Sequence, residues 1–179
     1  MLTIFSHTDS RLDNLKEISK NLVEYIKREY GQIGRPVVIY LEGGMGTGKT
    51  TLAKALAKEL GIEEDVKSPT FTIMREYDIP ASDIVNNSHN KLLHIDAYRF
   101  EDKQEGNILN LRSRLNKNIK RVFEEGSMSD LSERPIILIE WADKMNAPEC
   151  DIKIMIDKGS VEDRRNIAIY KNEYRSLDK

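Results

Sequence analysis

Eight residues, Gly43-Gly44-Met45-Gly46-Thr47-Gly48-Lys49-Thr50, fit the spacing G-x-x-x-x-G-K-[ST] in full, and Thr51 follows them. The chemistry this spacing serves is phosphate binding. Glycines let the backbone adopt φ > 0 and approach a phosphate with no Cβ in the way. Successive backbone N–H groups then converge as an anion-binding nest. A helix starting near Lys49 adds its positive end. The lysine reaches the β and γ phosphates, and the Thr50 hydroxyl takes one position on Mg²⁺. A random chain of this length would carry the pattern about 1% of the time at ordinary residue frequencies. Four glycines within residues 43–48 also suit neither a helix nor a strand interior. The expected ligand is a nucleoside triphosphate, most simply ATP with Mg²⁺, held by Gly43, Gly46, Thr47, Gly48, Lys49, Thr50 and Thr51.

A phosphate loop of this kind works with a carboxylate for the metal or its waters, usually at the end of an apolar strand. Two acids stand in that position. Asp96 follows Leu92-Leu93-His94-Ile95, and Glu140 follows Ile136-Ile137-Leu138-Ile139. On spacing alone each reads either as a metal-site acid or as a strand end paired with an arginine. The strand before Glu140 is the more apolar and the more central in character, which favours Glu140. Thr70, in Ser68-Pro69-Thr70-Phe71, follows the loop's helix and is placed to return across the phosphates as a switch. A plain turn at Pro69 is the simpler reading of those residues taken alone. His94 alternates with Asp96 and reads as a neighbour of the site rather than a base.

The elements that must carry these residues can be read from periodicity. Residues 9–30 form an amphipathic helical pattern through Leu12, Leu15, Ile18 or Ser19, Leu22 and Ile26, with Asp9 or Ser10 as its cap. Residues 37–41 are a short β-branched run, as in a buried parallel strand, and lead directly into the glycine loop. Leu52, Ala53, Leu56, Ala57 and Leu60 make the face of a helix that stops at Gly61. Strands are expected over residues 71–79, 92–96, 135–139, 152–156 and 166–170, and a helix over residues 107–125. The last two strands share a short connection through Gly159, which predicts an antiparallel pair. The expected fold is α/β: a single P-loop NTPase domain over residues 1–179, with a mixed, mostly parallel central sheet flanked by helices and an antiparallel C-terminal strand pair.

Bulk properties narrow the setting. The chain has 179 residues, 39% hydrophobic and 32% charged, with a net charge of −2. That balance excludes general polyanion binding by net charge. The one cysteine, Cys150, cannot make an internal disulfide, and no Cys/His cluster has metal-ligand spacing. Residues 1–10 lack the pattern of a secretory signal. No stretch approaches the ~20 apolar residues that cross a bilayer. A cytoplasmic protein with no membrane contact is expected. Arg114, Lys117 and Arg121 form a basic stripe on the expected helix, more simply a solvated face than a contact for tRNA phosphates or an acidic partner. The guanine-reading Asn-Lys-x-Asp and the switch Asp-x-x-Gly are absent, so a regulatory GTPase is not expected. A small-molecule or nucleoside kinase stays open as an alternative.

Taken together, four blocks resemble the TsaE (YjeE) family: residues 43–51, then Val66-Lys67-Ser68-Pro69-Thr70-Phe71-Thr72, then His94-Ile95-Asp96-Ala97-Tyr98-Arg99, then Ile139-Glu140-Trp141. They come in family order and span most of the chain from Val37 onward. The resemblance implies an ATPase required for N6-threonylcarbamoyladenosine at position 37 of tRNA, weak alone or stimulated by its partners. Those partners are a TsaB–TsaD-like pair, through which tRNA is met indirectly. It also implies roles by motif match. Lys49 and Thr50 hold phosphate and Mg²⁺, and Glu140 completes the magnesium site. Thr70 is a switch, and Asp96 positions the attacking water. Trp141 stands beside the metal acid, and Arg164 or Arg165 lies near the nucleotide, with Arg164 taken as the contact. Residues 79–91 and 107–125 depart from the pattern in being longer and more basic.

Overall fold

The computed structural model describes residues 1–33, 35–80, 89–99, 134–145 and 147–173. The expected helix over residues 107–125, with its basic stripe Arg114, Lys117 and Arg121, lies outside them.

The chain opens with a strand, not a helix. β1 runs Leu2–Arg11 and α1 runs Leu15–Tyr30. The reason is tertiary. β1 lies antiparallel to β7 (Arg164–Lys171), with Leu2 opposite Lys171 and Arg11 opposite Arg164. Its ladder of hydrogen bonds claims residues 9–11 before the helix begins. Asp9, expected as a helix cap, instead sits at φ 51°. Its carboxylate accepts from the Ser160 amide at 2.9 Å and the Ser160 hydroxyl at 2.7 Å, which holds its pKa below the usual carboxylate value. Asn14 precedes α1 and makes no side-chain capping bond. Leu15, Ile18, Leu22 and Ile26 of the expected apolar stripe are all buried.

The remaining strands are β2 (Val37–Glu42), β3 (Met74–Asp78), β4 (Lys91–Asp96), β5 (Ile136–Glu140) and β6 (Ile152–Lys158). They form one sheet in the order β1-β7-β6-β2-β5-β4-β3. The central run β6, β2, β5 and β4 is parallel throughout. Antiparallel pairs close both sides: β6 with β7 and β7 with β1 on one, β3 with β4 on the other. The expected C-terminal antiparallel pair is therefore present, joined by two antiparallel edges. β3 starts later than the expected residue 71. The amides of Thr72 and Ile73 both turn back onto the Pro69 carbonyl, and Ile73 takes φ 66°, so the chain is still turning there.

Alternation along the central strands sorts the core into two faces. Val37, Ile39 and Leu41 of β2 pack with α1 and α2 (Lys49–Glu59), as do Ile136 and Leu138 of β5. Val38, Ile137 and Ile139 face the other way, with Leu93, Ile95 and Ala142. Period two then carries Glu140 to the same face as Leu138, where α2 begins. At the opposite end of β2, the buried Asp151 carboxylate accepts the Val38 amide at 2.8 Å and pairs with Arg35 at 2.8 Å. That clamp fixes where β2 enters the sheet, and so where its far end delivers the glycine loop.

Candidate functional site

β2 ends at Glu42, and the next six residues turn the chain into α2. Three glycines there need positive φ: Gly43 at 144°, Gly46 at 72° and Gly48 at 105°. Gly43 is also pressed against β6, where a Cβ would come 2.1 Å from the Ile156 carbonyl oxygen. Only glycine satisfies both conditions. Gly48 precedes the first turn of α2, so the helix presents its free N–H groups to the loop.

The loop is braced from inside and outside. Within it, the Thr47 hydroxyl donates to the Gly44 carbonyl at 3.0 Å. From outside, the buried Arg165 guanidinium donates to the Thr47 carbonyl at 2.6 Å and the Gly46 carbonyl at 3.2 Å. Carbonyls drawn toward Arg165 leave the loop's N–H groups for the other side. Arg164 is placed differently from the expectation. Its guanidinium donates to the Asp9 carbonyl at 2.7 Å, away from the loop. Adjacent residues of a strand point to opposite faces, and in this register Arg165 faces the loop.

Lys49 is buried, and its ammonium donates to the carbonyls of Gly43 and Gly44, each at 2.8 Å. It also lies 3.8 Å from the centre of the Trp141 ring, a cation–π contact. Burial pushes its pKa down, while the nearby Glu140, Asp96 and Asp143 carboxylates oppose that shift. Trp141 takes a left-handed conformation at φ 58°, and its ring meets that of Tyr98 at 5.2 Å.

The two strand-end acids come to the same place. Asp96 and Glu140 are opposite each other in the β4–β5 register. The Thr50 hydroxyl lies 3.0 and 3.1 Å from the two oxygens of Glu140. Behind Glu140, the His94 ring nitrogen Nε2 is 2.8 Å from Oε1. Asp96 accepts the Thr70 hydroxyl and, at 3.0 Å, the Tyr98 amide. Ser68 shares a hydrogen bond with Thr70 at 2.7 Å. Neither acid forms an ion pair with an arginine among the described residues.

These groups surround one open cavity of about 360 Å³. Lys49, Thr50, Thr70, Asp96, Glu140 and Trp141 line it, together with Met45, Gly46, Gly48, Thr51 and Tyr98. Gly43 and Thr47 shape the loop from behind this lining. Two residues were less visible in sequence. Spacing marks His94 as a neighbour of the site only, and it does not separate Arg165 from Arg164. The signal available for His94 was its alternation with Asp96.

A glycine loop with these dihedrals, set between a central parallel strand and a helix, defines a P-loop protein of the α/β class. The family model for threonylcarbamoyl adenosine biosynthesis protein TsaE matches residues 10–167. The chain belongs to the TsaE family. It is 32% identical over 137 residues to tRNA threonylcarbamoyladenosine biosynthesis protein TsaE of Haemophilus influenzae, covering 75% of this chain and 70% of that one. The Aquifex aeolicus protein of the same name is 33% identical over 136 residues, covering 75% and 77%. The fold resembles the crystal structure of Bacillus subtilis YdiB, with a TM-score of 0.59 and 21% identity, covering 99% of this chain and 92% of the other.

Proposed function

We propose that this protein is a Mg²⁺-dependent ATPase that supports threonylcarbamoyladenosine formation at position 37 of tRNA, working with a TsaB–TsaD-like pair. The observation that carries the reading is the meeting of Thr50 and Glu140 at the mouth of the glycine loop. A hydroxyl and a carboxylate side by side are the hard oxygen donors that Mg²⁺ takes. The glycine cradle, with no room for a Cβ at Gly43, fits a phosphate-binding backbone.

Each residue then has a task. The loop amides and the start of α2 hold the β and γ phosphates. Lys49 exchanges its two loop carbonyls for phosphate oxygens and offsets their charge. Thr50 and Glu140 would hold the metal, which would offset the negative charge of the phosphates. Asp96 orients the attacking water once Thr70 leaves it for the triphosphate. Trp141 covers Lys49 and keeps water from its ammonium. Hydrolysis by the protein alone is slow, because its cavity is open and a partner surface is needed to close it. We take residues 1–179 as one functional unit in the cytoplasm. No helix among the described residues is long and apolar enough to cross a membrane.

Co-purification with a TsaB–TsaD pair, with and without ATP, tests the assignment. Nucleotide-dependent association and faster hydrolysis in the complex are expected. Phosphate transfer to a nucleoside or other small acceptor, with no association under either condition, would make it a kinase instead.

A further inference from the structure

His94 is fully buried and is not among the residues lining the cavity. It sits on β4, one strand over from Glu140, with Leu138 as its partner in register. Its Nε2 lies 2.8 Å from Oε1 of Glu140. With a carboxylate oxygen as its neighbour, Nε2 is the donor of this hydrogen bond. The ring's Nδ1 has no partner among the described residues. The ring is therefore fixed by one bond, and that bond goes to Glu140.

Glu140 itself is almost entirely buried, and a carboxylate in such a wall needs donors to stay in place. Among the described residues it has two. Thr50 donates from the cavity side, and His94 donates from the core side. A threonine hydroxyl has one proton. When that proton points at Glu140, its lone pairs are left facing the cavity. The direction of the Thr50 lone pairs thus depends on where the Glu140 carboxylate is held.

We infer that His94 is a positioning residue: it holds Glu140 so that Glu140 and Thr50 together present oxygens to Mg²⁺. This rests on the magnesium-site reading proposed above. His94 touches neither the cavity nor the nucleotide site, so its loss is felt through metal affinity and not through the phosphate cradle. Groups that orient metal-site residues in this way typically matter by about tenfold to a hundredfold in metal affinity.

The test is nucleotide binding titrated with Mg²⁺, followed by calorimetry with ADP and with a non-hydrolysable ATP analogue. His94→Leu removes the donor, and His94→Gln keeps an N–H long enough to reach Glu140. With His94→Leu, the Mg²⁺ concentration for half-maximal enhancement of binding is expected to rise about tenfold or more. Binding in EDTA is expected to stay within about twofold of the parent, since the cradle is untouched. His94→Gln is expected to track the parent. Should His94→Leu fail to fold, His94→Asn takes its place, polar but too short to reach the carboxylate, with the same expectation. An unchanged Mg²⁺ requirement in a folded His94→Leu or His94→Asn protein would overturn the inference, as would a His94→Gln protein as impaired as either. Glu140→Gln, measured in parallel, separates the two levels. If it leaves the Mg²⁺ requirement unchanged, the magnesium-site reading falls; if it raises the requirement and His94→Leu does not, only the role of His94 falls.

Discussion

The Thr50 hydroxyl on α2 and the Glu140 carboxylate on β5 are 90 residues apart in the chain and 3.0 Å apart in space. The contact joins the loop's helix to the strand beside β2, and it sets the chemistry proposed for the cavity. Glu140→Ala removes the carboxylate while leaving the cradle intact. It is expected to bind ATP within about threefold of the parent and to lose at least tenfold in Mg²⁺-dependent hydrolysis, the scale seen when a metal's supporting groups are removed. Unchanged turnover would take Glu140 out of the site.

Lys49 supplies the only side-chain cation lining the cavity among the described residues. Lys49→Ala is expected to weaken Mg·ATP binding tenfold or more, about 1.4 kcal/mol at least, in line with a charge-assisted hydrogen bond. Calorimetry reads this directly. Equal affinity in the variant would mean that the glycine loop is not a phosphate site.

Thr70 is bonded to Asp96 through its hydroxyl. Thr70→Ala removes that hydroxyl, while Thr70→Ser keeps it. Single-turnover hydrolysis is expected to fall by roughly tenfold to a hundredfold in Thr70→Ala, the scale of a misplaced reacting group, and to be largely restored in Thr70→Ser. Equal rates in all three proteins would make the residues around Pro69 a plain turn.

Gly43 tests the cradle through stability. An alanine there meets the Ile156 carbonyl at 2.1 Å and is held at φ 144°. Strain of about 1–3 kcal/mol from the backbone alone is expected, with overpacking added. A chain of this size then melts at least ~4 °C lower. A melting temperature equal to the parent's would show that the loop shifts away from β6 at little cost.

His89 gives a pH dependence. The ring is buried, with Nδ1 2.6 Å from the Arg134 carbonyl and Nε2 3.2 Å from the Tyr30 carbonyl. Burial lowers its pKa below the ordinary 6.5, against the pull of those two carbonyls. The unfolded chain therefore takes up the proton at a higher pH than the folded one. This contribution to stability is complete above 6.5 and declines as the pH falls through and below that value. The melting temperature is expected to drop between pH 7 and pH 5.5, and to drop less in His89→Gln. Parallel slopes in the two proteins would assign the drop to other groups.

What the sequence disclosed follows from how local each signal is. The glycine loop, Thr50 and Lys49 are contiguous, so spacing alone revealed them. Glu140 and Asp96 were legible because each ends an apolar run, and a parallel sheet brings such ends together. The bond from His94 to Glu140 was not legible, because it crosses from one strand to the next and depends on register. Arg164 and Arg165 could not be told apart for the same reason: a shift of one residue along β7 exchanges their faces. β1 was missed because its half-exposed pattern runs straight into the stronger helical stripe of α1. Its strand character comes from β7, more than 150 residues away, and not from its own residues.

That distant pairing also says when the cradle is finished. Leu2 lies opposite Lys171, so the first strand waits for the last before it has a partner. Bringing together contacts so far apart in sequence costs loop-closure entropy, and such non-local pairing slows folding. The glycine loop leans on Ile156 of β6 and is gripped by Arg165 of β7. A growing chain that has emerged only as far as α2 carries the whole motif without either support. A chain truncated before the final two strands would carry the signature without either support.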